Sequence, residues 1–201
     1  MFALVESGSI TKYLNGNKGI TIGDNQYPRA IYTLWTEAER NAIGIYEIVY
    51  DDTNKKDEQW YINTDQSYAF ANNKVTATYG SATAKAHADT NFSAQDEEDG
   101  LGTEGELATR GLKYNLIKQI KIDAGSELKK TDWYITRKSE KNTAIPSAIT
   151  THRNAVRSKQ AAMETAITNA SDTPALETLY TFTEDSDGVN SRPLGVLPTL
   201  E

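Results

Sequence analysis

Short runs of alternating apolar and polar residues fill much of the first 80 positions of the chain, and this period of two is typical of β-strands. Residues 2–6 and 9–14 are two such runs, and they flank Ser7-Gly8. Glycine supplies the positive φ that a tight turn needs. The pattern therefore predicts a β-hairpin at the start of the chain.

The later part of this region predicts two further strand pairs. Residues 45–50 are rich in β-branched and aromatic side chains and are followed, after a polar loop, by a similar run at 59–63. Residues 67–70 and 74–79 flank Ala71-Asn72-Asn73, where asparagine tolerates the left-handed conformation of a turn. We expect these strands to form a local, antiparallel sheet with one buried face.

One short helix is expected inside the strand region. Thr36 lies three residues before Glu39, which is the spacing of a capping box, and Gly44 is placed as a left-handed C-terminal stop. Pro28 restricts the residue before it to extended conformations, so the helix cannot reach back past that point. The pattern thus predicts a helix between Thr36 and Gly44.

The apolar period becomes helical from Thr103 onward. Thr103 and Glu106 have capping-box spacing, and the basic residues Lys129 and Lys130 suit the C-terminus of a helix. We expect one helix over residues 103–130. Its predicted apolar stripe consists of Leu107, Leu112, Leu116, Ile117, Ile120 and Ala124.

Three further helices are predicted after this one. A short helix capped by Thr131 and Asp132 is expected over residues 133–140, followed by a long helix over 147–170 and a final short piece over 172–180. The proline before residue 147 is acceptable at the start of a helix. The apolar seam of the long helix consists of Ile149, Val156, Met163 and Ile167.

The chain is therefore predicted to be an α+β protein with four parts. They are an N-terminal antiparallel β domain with one short helix (residues 1–80), an acidic polar linker (81–102), a C-terminal helical hairpin (103–180) and an extended tail (181–201). The tail carries four apolar side chains that can anchor it along a surface, namely Leu194, Val196, Leu197 and Leu200.

Composition removes several classes of function. The 201 residues include no cysteine, which excludes disulfides and thiol chemistry, and a net charge of −7 argues against a general nucleic-acid binder. No apolar run is long enough to cross a bilayer. The charge is uneven, because residues 111–180 hold 11 basic and 7 acidic side chains whereas residues 1–110 hold 9 and 17. The basic block either matches acidic parts of the same chain or docks a partner.

The sequence contains no recognisable catalytic motif. His87 and His152 lie in no nucleophile elbow, and the run Gly100-Leu101-Gly102 follows acidic residues where a phosphate-binding fold needs a buried strand. The acidic stretches 96–99 and 185–190 lack the ligand spacing of a calcium loop, so we expect solvated loops there. We predict that the chain is not an enzyme and uses no cofactor or metal.

The segment from residue 131 to 157 stands out because it combines a tryptophan with spaced arginines. Trp133 offers a large amphipathic surface, and Arg153 and Arg157 lie on one face of a helix. In one interpretation the indole joins the short helix to the long one while the arginines pair with carboxylates of this chain. In the other interpretation these side chains are interface anchors. The candidate docking residues are then Trp133, Tyr134, Arg137, Arg153 and Arg157.

The same segment resembles the C-terminal module of tailed-bacteriophage tail-fibre assembly and tail-associated proteins. Many members of that family carry an aromatic residue just before the first arginine of the pair, where this chain has His152. The N-terminal regions of phage tail proteins with this module are similar to residues 2–6, 26–28 and 39–46 and to Trp35. The matching positions of the module are Asp132, Trp133, Arg137, Glu140, Ile145, Pro146, Arg153, Val156 and Arg157.

The resemblance implies a noncatalytic structural component of a bacteriophage tail, in the baseplate, tail or fibre attachment, that acts by protein–protein docking. It equally fits a tail-fibre assembly chaperone that is absent from the mature particle. A small carbohydrate-binding or hydrolytic tail protein is a third alternative, in which Trp60 and Tyr61 would stack on sugar, although packing is the use we expect for both.

The resemblance also implies the partners and the location of the protein. The expected partners are other phage tail or fibre proteins, in a homo-oligomer or a larger assembly, whereas the charge and the lack of a long apolar run lead us to expect neither a nucleic acid nor a membrane as partner. The expected location is the tail of the virion, after synthesis in the host cytoplasm.

Overall fold

The computed structural model describes residues 1–200 and divides the chain into two compact units, the first over residues 1–83 and the second from residue 84 onward. The chain mixes strands and helices, as the prediction of an α+β protein requires. The elements of the first unit are β1 (Phe2–Glu6), β2 (Ser9–Leu14), β3 (Ile20–Ile22), β4 (Asn25–Tyr27), α1 (Ile31–Leu34), α2 (Glu37–Ala42), β5 (Ile45–Asp51), β6 (Tyr61–Ile62), β7 (Gln66–Ala71) and β8 (Lys74–Tyr79).

A short strand, β9 (Thr83–Ala84), lies at the junction of the units, and the second unit is mainly helical. Its elements are β10 (Thr90–Asn91), α3 (Ala94–Glu98), β11 (Leu107–Thr109), α4 (Leu112–Lys129), α5 (Asp132–Lys141), α6 (Ser147–Asn169), α7 (Thr173–Tyr180), β12 (Thr183–Glu184) and β13 (Asn190–Ser191).

Five strands of the first unit form its main sheet, in the order β2-β1-β5-β8-β7. β1 and β2 are an antiparallel hairpin that turns at Ser7 and Gly8, with φ angles of 51° and 78°. β7 and β8 form a second antiparallel hairpin around Asn72 and Asn73, whose φ angles are 52° and 57°. Both predicted hairpins are confirmed, because residue types that tolerate positive φ lie where the chain reverses.

The pairing predicted for residues 45–50 with 59–63 is wrong. β5 lies in the middle of the sheet, antiparallel to β1 on one side and parallel to β8 on the other. Both edges of β5 are thus occupied by other strands. Within residues 59–63 only the two residues of β6 form a strand. The sheet is therefore mixed and not antiparallel, since the crossover between β5 and β8 returns the chain in the same direction.

Both faces of this sheet are buried, where only one was expected. One face packs against α1 and the β3–β4 hairpin, with Leu4 and Ile45 at the centre of the contact. The two edge strands approach each other, and the rings of Tyr13 and Tyr68 lie 4.9 Å apart, so the sheet curls over its other face. The side chains buried on that second face are Ala3, Val5, Ile48, Val75 and Ala77.

The capping box predicted at the start of α2 is confirmed. The Thr36 hydroxyl accepts a hydrogen bond from the Glu39 amide at 3.3 Å, and the Glu39 carboxylate accepts one from the Thr36 amide at 2.7 Å. The bond from the Thr36 amide, with a second from its hydroxyl, lowers the pKa of the Glu39 carboxyl. Gly44 follows α2 with a left-handed φ of 82°, as expected for the glycine that ends this helix.

The helices α4 and α6 pack side by side in opposite directions. The Lys113 ammonium donates to the Thr168 carbonyl at 2.8 Å, and Lys121 pairs with Glu164 at 3.4 Å, so the start of one helix lies beside the end of the other. The seam predicted for the long helix is confirmed. All four of its side chains are buried, namely Ile149, Val156, Met163 and Ile167.

The start predicted for the first long helix is wrong, because α4 begins at Leu112 and not near Thr103. Gly105 has a φ of 83°, a conformation that interrupts a right-handed helix, and β11 pairs with β10 just after it. The capping box in this part of the chain belongs to Ser93 and Asp96 at the start of α3.

Two regions that were expected to lack structure contain folded elements. The expected linker, residues 81–102, includes β10 and α3, and Asp89 accepts a hydrogen bond from the N-cap amide of α4 at 2.8 Å. The expected extended tail contains the β12–β13 hairpin. Among its four apolar anchors Leu194 is buried and Leu197 is half-buried, whereas Val196 and Leu200 remain exposed.

Candidate functional site

The candidate site is built on α5, a helix of ten residues in which no side chain is buried. Asp132 in its first turn and Lys138 and Lys141 in its last turn suit the helix macrodipole. Asn142 follows the helix with a left-handed φ of 51°, and its amide oxygen accepts a hydrogen bond from the Lys138 ammonium at 3.1 Å. The helix predicted over residues 133–140 is confirmed to within one residue at each end.

Trp133, Tyr134 and Arg137 form an aromatic–guanidinium stack on this helix, in which Trp133 is exposed and the other two side chains are half-buried. The two ring centroids lie 3.8 Å apart, and the central guanidinium carbon of Arg137 is 4.7 Å from the indole and 5.3 Å from the phenol ring. The Nε atom of Arg137 is buried and has no hydrogen-bond partner within residues 1–200, so its main favourable contacts are with the ring faces. Trp133 is 51% exposed, which leaves half of its surface available to a partner.

Arg153 lies inside the second unit and is only 7% exposed. Its Nη1 atom donates to the Leu128 carbonyl at 2.8 Å, to the Thr131 hydroxyl at 2.7 Å and to the Asp132 carboxylate at 2.8 Å. The Arg153 guanidinium thus joins α6 to three places. They are the end of α4 at Leu128, the connection between α4 and α5 at Thr131, and the first turn of α5 at Asp132. This finding corrects the expectation that Arg153 contacts a partner. Its burial and its internal bonds make it a residue that positions α5.

Arg157 is separate from the stack. It is exposed, and it forms no hydrogen bond or ion pair with the rest of residues 1–200. Its side chain lines a shallow groove of about 670 Å³ together with Gln160 and Glu164 of the same helix and Leu128 of α4. No residue of α5 lines this groove. The structure therefore brings Trp133, Tyr134 and Arg137 together. The two arginines of α6 have different surroundings, since Arg153 is buried and Arg157 is exposed.

A buried polar group between α4 and α6 was not predicted from the sequence. Glu127 and His152 are both buried, and the Glu127 carboxylate lies 3.2 Å from Nε2 of His152, although this contact lacks hydrogen-bond geometry. The same carboxylate accepts hydrogen bonds from the Lys130 ammonium and, at 3.2 Å, from the Leu200 amide. Glu127 thereby attaches the end of the tail to α4.

The charge of Glu127 is stabilised by these bonds. The hydrogen bond from Lys130 is the main cause that lowers the pKa of the Glu127 carboxyl, and the Leu200 amide adds to it, while burial opposes both.

One signal in the sequence could have predicted that Glu127 is buried. Glu127 follows the buried residues Ile120 and Ala124 at helical spacing, so it continues the apolar stripe and must enter the core.

The other side chains considered as candidates from the sequence pack in the fold or form local hydrogen bonds. Trp60 is buried, which confirms its expected use in packing, and Tyr61 is half-buried. Asp96 completes the capping box of Ser93 at the start of α3, and Asp185 accepts a hydrogen bond from the Val189 amide at 2.9 Å, so both acidic stretches order the local backbone. Within residues 1–200 no group of three or more histidine, aspartate or glutamate side chains is placed to hold a metal ion.

In the part of the chain that the structure describes, no helix is both long and apolar enough to span a membrane. Comparisons of the chain with protein-family models, with curated proteins and with solved structures gave no match. The geometry of α5 is therefore the structural basis for a docking role of this helix.

Proposed function

We propose that this chain is a noncatalytic component of a bacteriophage tail that docks to other tail or fibre proteins. The observation that carries the proposal is the aromatic–guanidinium stack of Trp133, Tyr134 and Arg137 on a helix that buries none of its own residues. Tryptophan, tyrosine and arginine are the residue types most enriched among the dominant contacts of protein interfaces. A partner that covers α5 would give this helix the buried face that it lacks in the free chain.

The surroundings of the stack indicate the chemistry of that partner. Residues 129–141 contain five basic and two acidic side chains, although the whole chain has a net charge of −7. Opposite charge at the rim of an interface steers association and selects the partner. The complementary surface is therefore an apolar pocket for the indole of Trp133 with acidic side chains around it.

The assignment to a phage tail rests on the resemblance of residues 131–157 to the module of tail-fibre assembly and tail-associated proteins. In this chain Arg153, the first arginine of the Arg153–Arg157 pair, positions α5 from inside, while Trp133 is presented outside. The same arrangement serves a permanent tail component and a chaperone that leaves after assembly. These two roles differ in whether the chain stays in the particle.

Quantitative mass spectrometry of purified particles tests the assignment. A structural component is expected at a fixed copy number relative to the other tail proteins in every preparation. A chain that is absent from particles but bound to fibre protein in infected cells would be the assembly chaperone instead. Absence from particles together with absence of any complex with tail or fibre proteins would contradict the proposal.

Trp133→Ala is expected to reduce incorporation of the chain into particles at least tenfold, because loss of a central aromatic anchor costs about 2 kcal/mol or more of binding. The side chain is half exposed in the free chain, so we expect the free energy of unfolding to change by less than about 1 kcal/mol. Incorporation is measured by supplying variant and wild-type chains together and quantifying both in the particles.

Phe182→Ala is the matched control for this substitution. Phe182 is 54% exposed and also lies near a guanidinium, with the central carbon of Arg192 at 5.1 Å from its ring, but it is outside α5. Its loss is expected to leave incorporation unchanged. Equal incorporation of Trp133→Ala and wild-type chains, with normal melting, would refute the docking role of Trp133.

A further inference from the structure

Asn15 is the only asparagine of the chain that is followed by a glycine. The pair lies in the connection between β2 and β3, and the Asn15 side chain is exposed. Glycine has no Cβ atom, so no side chain of Gly16 shields its backbone nitrogen from the side-chain amide of Asn15. The amide carbon and this nitrogen are thus held close together within one short segment, which favours a reaction between them.

The backbone nitrogen of Gly16 is free to react. Its amide donates no hydrogen bond to any group in the part of the chain that the structure describes. Two other glycines, Gly100 and Gly188, follow aspartates and are the nearest chemical equivalents, but both of their amides are bonded. Gly100 donates to the Glu97 carbonyl and Gly188 to the Asp185 carbonyl, each at 3.1 Å. Those two amides must break a hydrogen bond before they react, whereas the Gly16 amide has none to lose.

The Asn15 side chain is folded toward the Gly16 peptide. Its Oδ1 atom accepts a hydrogen bond from the Asn17 amide at 3.4 Å, which is the bond of an Asx turn. Because Gly16 is the residue between donor and acceptor, the side-chain carbonyl lies along the Gly16 peptide. The Asn17 amide also stabilises the negative charge that develops on Oδ1 when a nucleophile attacks the Cγ atom.

We propose that Asn15 is a site of spontaneous deamidation, in which water is the only co-reactant. The Gly16 amide loses its proton to hydroxide or water, and its nitrogen attacks the Cγ atom of Asn15. The new N–Cγ bond closes a succinimide ring, and cleavage of the Cγ–Nδ2 bond releases ammonia. One water molecule then opens the ring. Cleavage of the new bond leaves aspartate, and cleavage of the original peptide bond leaves isoaspartate. The site belongs to the first unit and does not depend on the docking role of α5.

The isoaspartyl product does not fit the packing of this connection. Its main chain runs through the former side chain and is longer by one carbon atom. A Cβ atom on Gly16 would lie 3.4 Å from the ring of Tyr32 and 3.5 Å from that of Phe2, so the Gly16 backbone is already against the core. A Cβ atom on Gly19 would lie 2.5 Å from the Tyr27 carbonyl oxygen, so the other end of the connection is equally close-packed. The extra atom therefore displaces Gly16 from the two rings.

Incubation of the full chain at mildly alkaline pH, in water enriched in the heavy oxygen isotope, tests the proposal. Opening of the ring places that isotope in the new carboxyl group, so digestion afterwards in ordinary water separates modification of the intact chain from modification during handling. Peptide fragmentation locates the residue and distinguishes isoaspartate from aspartate. Both are expected at residue 15 and should accumulate about tenfold or more faster than at any other asparagine. Absence of label at residue 15, or an equal rate at another asparagine, would overturn the proposal.

The same incubation in denaturant tests the contribution of the fold. The native chain is expected to react at Asn15 within about tenfold of the rate of the unfolded chain, because the Gly16 amide is unbonded in both. Label at the aspartates before Gly100 and Gly188 is expected to accumulate faster in denaturant than in the native chain. Stronger protection of Asn15 than of these two aspartates would refute the role of the free amide.

Asn15→Gln is expected to slow the reaction at this position about tenfold or more, since glutamine must close a larger ring. Asn17→Gln is the matched control, because it changes the neighbouring exposed asparagine and keeps the backbone amide that bonds Asn15. Its rate at Asn15 should equal that of the unsubstituted chain. An unchanged rate in Asn15→Gln would refute the mechanism.

Asn15→Asp provides the aspartyl product with a normal main chain. The isoaspartyl fraction of the aged chain is expected to melt at a lower temperature than this variant, because only isoaspartate lengthens the connection. Equal melting temperatures would overturn the predicted displacement of Gly16.

Discussion

Arg153→Ala is expected to lower the free energy of unfolding of the second unit by about 2–4 kcal/mol. The substitution removes the three hydrogen bonds that one buried guanidinium donates. The Leu128 carbonyl keeps a bond from the Thr131 hydroxyl at 3.0 Å, but the hydroxyl oxygen is buried and loses its donor. Asp132 contributes less, because its side chain is 58% exposed and water can replace the guanidinium.

The measurement is chemical denaturation followed by the helical circular-dichroism signal, with Arg157→Ala as the matched control. Arg157 lies one turn further along α6, is exposed and has no partner within residues 1–200, so its loss is expected to cost less than about 0.5 kcal/mol. Arg153→Lys should recover only part of the stability, because an ammonium lacks the planar fork of donors. Equal stability of the two alanine variants would contradict the positioning role of Arg153.

Gly44→Ala is the second substitution with a large expected effect, a loss of about 2–4 kcal/mol in the free energy of unfolding of the first unit. Gly44 has a φ of 82°, where a residue with a side chain loses about 1–2 kcal/mol. A Cβ atom there would also lie 2.6 Å from the Val5 carbonyl oxygen. Relief of that clash requires β1 to move, which strains the bond from the Val5 amide to the Gly44 carbonyl, now 2.8 Å long.

Gly8→Ala separates the two causes of this loss. Gly8 has nearly the same φ, 78°, but a Cβ atom there would meet nothing within 4 Å. We therefore expect only the conformational cost of about 1–2 kcal/mol at Gly8. Tryptophan fluorescence in denaturant, measured in a Trp133→Phe background, reports the unfolding of the first unit through Trp35 and the buried Trp60. Equal losses at the two glycines would show that the approach to Val5 is harmless.

Local features of this fold could be predicted well from the sequence. The turn at Ser7-Gly8, the turn at Asn72-Asn73 and the capping box of α2 are correct, because each depends on residues within four positions of one another. The seam of α6 is also correct, since helical periodicity alone decides which side chains share a face.

Pairings between distant segments could not be predicted in the same way. The parallel pairing of β5 with β8 and the curling of the sheet depend on which strands occupy the edges of β5, and periodicity carries no such information. The false start of α4 near Thr103 has a similar origin. A capping-box spacing occurs there, but the pairing of β11 with β10 and the positive φ of Gly105 give that segment another structure.

The sequence by itself determined that this protein has aromatic and guanidinium groups at helical spacing on α5 and α6, an excess of basic charge around them and no thiol chemistry. Only the tertiary structure decided which arginine supports the site from inside and which faces solvent. Arg153 and Arg157 share a residue type and a helix, but only Arg153 lies beside the carbonyl of Leu128 and the hydroxyl of Thr131. Burial of a guanidinium is favourable only where such acceptors are already in place, and their positions come from the packing of α4 against α6.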